Sequence, residues 1–466
     1  MNILQAIEHP DLFAPWFKRG GASYLRWFVF LKALFALPMS EEELTIYREH
    51  TNRKEAPTEP FSEGWLVIGR RGGKSFFMAL LAVYAACFRD YQEYLAPGER
   101  ATVLVIAADK KQARVIMRYI AAMLNGIEVL KDLIEAERAE SFDLTNFVTI
   151  EVGTASFRST RGYTFAAVLC DEIAFWRSED SANPDFEVLD AIRPGMATIP
   201  NALLMCGSSP YAKRGALYDA FKRFWGKEGA PLVWRGTSRE MNPTVPQSFI
   251  DLATERDASS AAAEYLAQFR TDIEGFVTRD AVEACVSPGV YERAPIATCR
   301  YFAFVDPSGG SSDSMTLAIA HLEKKVGVLD VVREFKPPFS PEQVVADCAD
   351  LLKAYRITKV IGDRYAGEWP REQFRNHYIT YEASAKPKSD LYRDMLPLIN
   401  SGELELLDVP AIVTQICNLE RRVSRGGRDS IDHPPGSHDD VANAVAGVMT
   451  SAKSRRSTYT LDNIRL

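Results

Sequence analysis

The sequence predicts an α/β protein of two domains, the first built on a mainly parallel sheet and the second on a mixed sheet. Three observations lead there. Between residues 61 and 240, continuous apolar runs alternate with helical stretches, the pattern of a parallel sheet covered on both faces. From Tyr301, three apolar runs follow one another with short links before a helix and a fourth run, which reads as an antiparallel meander with a later crossover. A chain of 466 residues, 47% of them apolar, fills two cores.

Composition narrows the function classes. The net charge of −7 argues against a histone-like polycation but leaves room for local basic channels, because only a contacting face must be positive. Seven cysteines lie scattered without a Cys-x-x-Cys pair, so neither a zinc module nor a disulfide framework is expected, and a reducing compartment fits. The apolar run 24–37 is broken by Arg26 and Lys32. It reads as an amphipathic helix rather than a signal or membrane span, and no membrane partner is expected.

Residues 1–60 read as a helical arm. Trp27, Leu31, Leu34 and Phe35 recur at helical spacing, a second helix runs over 41–51, and a polar connector follows. The domain 61–240 opens on a buried strand, 65–68, and a helix over 76–87. Between them stands Gly69-Arg70-Arg71-Gly72-Gly73-Lys74-Ser75. A glycine turn between strand and helix cradles a triphosphate: backbone N–H groups face the phosphates, Lys74 reaches the terminal ones, and the Ser75 hydroxyl sits on Mg²⁺. The spacing is off the usual pattern, since Ile68 holds the first glycine's place and Gly69 comes one residue late. The plain alternative is a strand-to-helix turn with a lysine at its rim.

Further strands are predicted over 102–107, 147–152, 166–170 and 202–206. Ligands of such sheets bind at the carboxyl ends of the strands. The run 166–170 empties into Asp171 and Glu172, assigned to the metal shell and to the attacking water. The run 202–206 empties into Gly207-Ser208-Ser209, small polar residues suited to sensing the γ-phosphate. A cation for the charge developing in phosphoryl transfer is sought among Arg70 in cis, Arg158 and Arg161 before the Asp-Glu strand, and Arg214 reaching a neighbouring subunit.

A helical linker is expected over 241–295, then a second domain over 296–452 and a flexible tail over 453–466. In that domain Asp306 and Asp363 each end an apolar run, and His438-Asp439-Asp440 opens an apolar helix. Meander, helix, fourth strand and further helices is the order of an RNase H-type nuclease. Three converging carboxylates are hard ligands for Mg²⁺ or Mn²⁺, and a two-metal site clamps both oxygens of a phosphodiester. Asp306, Asp363 and Asp440 are the ligand set, with Asp439 as the alternative to its neighbour or as a helix cap, and Asp313 as a weaker fourth. Lys386-Pro387-Lys388 and the basic run 421–428 are candidates for lining a DNA path.

Taken together, the loop 69–75, the strand end Leu169-Cys170-Asp171-Glu172, the turn Gly207-Ser208-Ser209 and the acids Asp306, Asp363 and His438-Asp439-Asp440 resemble the large terminase subunit of tailed bacteriophages. The resemblance spans about residues 42–447, and the late glycine followed by arginine is what the terminase loop looks like. It implies a P-loop (additional-strand) ATPase domain in front of an RNase H-like nuclease domain. It implies ATP and Mg²⁺ at the first site and Mg²⁺ or Mn²⁺ at the second. The partners it implies are double-stranded DNA, a small terminase subunit and the portal protein, on which a homo-oligomer, usually a pentamer, assembles. The implied location is the host cell cytoplasm, docked on the procapsid and absent from the mature virion. No glutamine for adenine recognition stands near residues 42–53. The rivals are a cellular ATPase/nuclease of DNA repair, which would need a second motor domain, and a non-catalytic capsid assembly protein, against which Lys74, Asp171 and Glu172 argue.

Overall fold

The computed structural model describes residues 1–17, 23–154, 162–176, 184–229, 231–310, 313–363, 369–422, 430–434 and 437–454. They form two compact units whose boundary in sequence lies between Thr271 and Asp272. That boundary falls inside the stretch 241–295.

The first unit carries eight strands: β1 Glu63–Ile68, β2 Ala101–Ala107, β3 Ile134–Glu137, β4 Ser141–Leu144, β5 Val148–Thr154, β6 Thr164–Asp171, β7 Leu203–Ser208 and β8 Leu232–Gly236. They lie in the order β3-β4-β5-β2-β6-β7-β1-β8. From β5 to β8 every pairing is parallel. The hairpin β3–β4 adds an antiparallel margin. Its residues never form an unbroken buried stretch, so no continuous apolar run marks it in the sequence.

Side-chain alternation splits the core into two layers. Leu66 and Ile68 of β1 pack with Phe30, Phe77 and Trp234, whereas Trp65 and Val67 pack with Val188, Leu189 and Leu217 on the other face. The helix Lys74–Phe88 is apolar nearly all round, because it is enclosed by the sheet, the helix Lys110–Gly126 and the N-terminal helix Leu25–Leu34. Trp27 stacks on Phe77 with ring centroids 4.2 Å apart and planes 7° from parallel. The helices Gln247–Arg256 and Ala258–Leu266 close the unit as a hairpin.

The second unit carries β9 Ile273–Gly275, β10 Val286–Ser287, β11 Tyr301–Asp306, β12 Met315–Glu323, β13 Val326–Phe335, β14 Lys359–Gly362, β15 Thr380–Ala383, β16 Leu404–Leu407, β17 Glu420–Arg422 and β18 Ser430–Asp432. Seven make a mixed sheet in the order β10-β16-β13-β12-β11-β14-β15, and β18-β17-β9 make a small one. The meander β11–β12–β13 is antiparallel, and β14 returns parallel to β11 with Val305 opposite Gly362. That register brings the ends bearing Asp306 and Asp363 side by side. The helix Asp440–Ser454 covers the sheet, and Gly447 lets it approach closely: a Cβ there would lie within 2.5 Å of three Phe304 ring atoms. No helix among the described residues is long and apolar enough to cross a membrane.

Candidate active sites

In the first unit, β1, β6 and β7 end on one edge, with Val67 level with Ser208 and Asp171 level with Gly207. The loop leaving β1 must be glycine at two places for different reasons. A Cβ on Gly69 would meet the Ser238 side chain and the Tyr265 carbonyl at 2.5 and 2.7 Å, and Gly73 has φ +100° at the entry of the helix. The late glycine of the motif is thus a close-packing position.

Lys74 is buried, and its Nζ donates to the Ile68 carbonyl at 3.1 Å and lies 3.3 Å from Glu172 Oε1. Ser75 Oγ donates to Asp171 Oδ2 at 2.9 Å, while Asp171 Oδ1 is buried with no hydrogen-bond partner. Burial first, and the neighbouring Glu172 charge second, push the Asp171 carboxyl up to about 7. Glu172 stands at φ +52°, a strained turn directly after the strand, and its Oε2 accepts from Ser208 Oγ at 2.8 Å and from the Ser209 N–H at 3.2 Å. The four groups named in the sequence as lysine, metal acid, water acid and sensing turn therefore meet at one end of the sheet. Arg70 instead points to Glu264 at 3.0 Å, which keeps its guanidinium firmly charged, and remains largely exposed. Arg71 has φ +67°. Arg158 and Arg161 lie outside the described residues, and Arg214 precedes the helix Gly215–Phe224.

In the second unit, Asn443 Nδ2 donates to Asp306 Oδ2 at 2.9 Å and to Asp363 Oδ2 at 3.2 Å. One amide thus ties two strand ends to the last helix. Burial first, opposed by the Asn443 bond and reinforced by the charges of Asp440, Asp363 and Asp439, drives the Asp306 carboxyl well above its ordinary range. Burial, then Asp439, pushes Asp440 up to about 6, with Asp313 and Glu334 adding smaller repulsions. Asp440 Oδ2 and Asn443 Oδ1 are buried without hydrogen-bond partners. The crowded, protonation-prone carboxyls of Asp306 and Asp440, with one Asp440 oxygen orphaned, fit a hard divalent cation, which would supply the missing partner and relieve the repulsion.

Asp439 is differently engaged. It accepts from Tyr392 OH at 2.8 Å and from Lys388 Nζ at 3.1 Å. It also belongs to a group with Asp432 and His433 whose possible ligand atoms lie within 4.8 Å of one another, and Lys388 Nζ sits 2.6 Å from Asp432 Oδ1 in that group. Nor does its side chain hold the helix start: the N–H groups of Val441 and Ala442 donate to Gln415 Oε1 at 2.8 and 3.1 Å. Lys386 pairs with Asp394, so both lysines of the 386–388 stretch are matched by acids. Arg422 lies 3.6 Å from Glu420 and donates to the His433 carbonyl, and residues 423–429 lie outside the described set.

Sequence reading passes over Asn443, Tyr392, Asp432, His433 and Gln415 as site residues, and it gives Lys388 to a DNA path where the structure pairs it with Asp432 and Asp439. Only Asn443 carried a usable signal, being four residues, one helical turn, past Asp439 and three past Asp440.

Residues 65–193 match the family model described as the N-terminal part of the terminase large subunit, T4likevirus-type. The matched stretch holds the glycine loop, Asp171 and Glu172, and over it the chain is large-terminase-like. No curated protein matches. Among solved structures, the large terminase of bacteriophage HK97 is 16% identical, covering 84% of this chain and 91% of its own, with a TM-score of 0.39. The large terminase of a thermophilic bacteriophage, solved in complex with ADP, is 12% identical, covering 89% and 99%, with a TM-score of 0.36. The large-terminase nuclease of the thermophilic phage G20c, solved with bound magnesium, is 15% identical, covering 36% and 94%, with a TM-score of 0.33.

Proposed function

We propose that this large-terminase-like chain is a viral genome-packaging motor subunit, hydrolysing ATP in its first unit and cutting double-stranded DNA in its second. The observation that carries the reading is the meeting of Ser75 with Asp171 at 2.9 Å beside buried Lys74, with one Asp171 oxygen left unpartnered, inside the stretch that matches the terminase family.

The residues act as follows. Gly69, Arg70, Arg71, Gly72, Gly73, Lys74 and Ser75 wrap the phosphates, and Ser75 and Asp171 hold Mg²⁺. Bound there, the ion neutralises charge on the β- and γ-phosphates. Lys74 exchanges Glu172 for the γ-phosphate, which frees the Glu172 carboxylate to take a proton from the attacking water. Ser208 and Ser209 stay bonded to Glu172, so departure of the γ-phosphate is felt at the end of β7 and passed on as motion of DNA. Arg70 serves as the cation in cis once it leaves Glu264.

In the second unit Asp306, Asp363 and Asp440 hold Mg²⁺ or Mn²⁺, as a two-metal site when substrate is present, and Asn443 sets the carboxylates. Asp439, which also anchors Lys388, is the alternative to Asp440 as the third ligand. The domains follow the division 61–240 for the ATPase and 296–452 for the nuclease. The small terminase subunit, the portal protein and a pentameric ring are the partners, and the host cytoplasm is the place of action.

The test is phosphate release from ATP together with plasmid cleavage in Mg²⁺ or Mn²⁺. Lys74→Ala is expected to stop the first and spare the second, and Asp363→Ala to do the reverse. Wild-type protein that neither hydrolyses ATP nor cuts DNA would refute the assignment.

A further inference from the structure

Three successive carbonyls of the glycine loop are each bonded by a side chain from elsewhere in the first unit. Ser238 Oγ donates to the Arg70 carbonyl at 2.6 Å, Asn242 Nδ2 to the Arg71 carbonyl at 2.9 Å, and Trp27 Nε1 to the Gly72 carbonyl at 2.9 Å. Ser238 and Trp27 are buried, and Trp27 is further fixed by its stack on Phe77 in the helix that follows the loop. The donors come from the N-terminal helix Leu25–Leu34 and from the short helix Ser238–Met241 with the residue after it.

A trans peptide points its N–H opposite its C=O. Fixing these carbonyls therefore directs the N–H groups of the following residues the other way; that of Gly72 closes a turn on the Gly69 carbonyl at 3.1 Å, so the cradle is built from those of Arg71 and Gly73. Arg71 at φ +67° and Gly73 at φ +100° are in the left-handed conformation that makes successive N–H groups converge on an anion. An arginine rarely adopts that conformation unaided, and a carbonyl swinging into the cradle would repel phosphate.

We infer that Trp27, Ser238 and Asn242 are positioning residues for nucleotide: they pin the loop's carbonyls outward and keep the anion cradle formed before ATP arrives. The inference rests on the ATP-binding reading above. It gives the N-terminal arm and the segment after β8 a part in nucleotide affinity that neither shows in its sequence.

The experiment uses the full chain, with ADP and Mg²⁺ as the binding probe in calorimetry, and steady-state ATP hydrolysis. Trp27→Phe keeps the ring stack and loses the donor, and Ser238→Ala loses only a hydroxyl. Each is expected to weaken ADP binding and raise the KM for ATP about fivefold, the worth of one net hydrogen bond, while kcat moves by less than about twofold. A role in packing alone would lower the melting temperature of the nucleotide-free protein and leave KM in place. ADP affinity and KM equal to wild type in Ser238→Ala would overturn the inference, even were Trp27→Phe to fail to fold. Wild-type protein that binds no ADP is a different result: it removes the ATP-binding reading and this inference with it.

Discussion

Glu172 and Lys74 neutralise one another at 3.3 Å, and this contact decides what each substitution should do. Glu172→Gln keeps the bonds to Ser208 and Ser209 within reach but cannot take a proton. Phosphate release is expected to fall by about 10²–10⁴-fold while ADP binding persists, read by stopped assays beside calorimetry. The carboxyl of Asp171 allows a pH test. Its folded value of about 7 lies above the ordinary 3.8, so between the two the folded state binds more protons than the unfolded chain. Stability without Mg²⁺ is therefore expected to decline as pH rises from about 4 to about 7. Melting curves of wild type and Asp171→Asn across that range check it, the variant showing the shallower decline. Equal slopes would mean that Asp171 is ionised throughout. At the second site, Asn443→Ala releases both strand-end acids from the helix. By analogy with residues that orient ligands, metal affinity should drop about 10–100-fold, measured as the Mn²⁺ concentration giving half-maximal cutting.

At the scale of elements, the sites depend on how closely two backbones approach. Gly447 faces the Phe304 ring on β11, two residues before Asp306, while Asp440 and Asn443 ride on the same helix. Gly447→Ala inserts a methyl where none fits and should destabilise the second unit by about 1–3 kcal/mol, with cutting lost at a temperature where ATP hydrolysis continues. Retained cutting at full stability would show that the helix slides without cost. The same elements explain what was legible in the sequence. Strands β1, β2, β6 and β7 are buried on both faces, so each appears as an apolar run whose end can be inspected for acids and hydroxyls. Asp171 and Ser208 stand out at such ends, as do Asp306 and Asp363 at the ends of their own runs. The hairpin β3–β4 is too exposed to leave such a run. Lys388 opens one helix while Asp432 and His433 stand at the end of β18, and only the fold, which no local pattern encodes, brings them to Asp439. The choice between Asp439 and Asp440 stayed open for the same reason: adjacent residues share every local signal, and only their surroundings differ.

For the whole chain, the decisive fact is that, among the described residues, each apolar cluster is drawn from one unit. Two clusters belong to residues before Thr271 and two to residues after it. Cooperative melting follows contiguous cores, so calorimetry of the full chain should resolve two transitions. A ligand stabilises only the unit that binds it, by RT ln(1 + [L]/Kd), or about 2.7 kcal/mol at a hundredfold excess over Kd. ADP with Mg²⁺ should accordingly raise one transition and leave the other, and Lys74→Ala should abolish that rise. Mn²⁺ alone should raise the second transition, in wild type and in Lys74→Ala alike, but not in Asp363→Ala. The cross-pattern assigns each transition to a unit without assuming which melts first. A single transition that ADP and Mn²⁺ both shift would instead show that the two cores unfold as one, and substitutions at either site would then disturb both activities through stability.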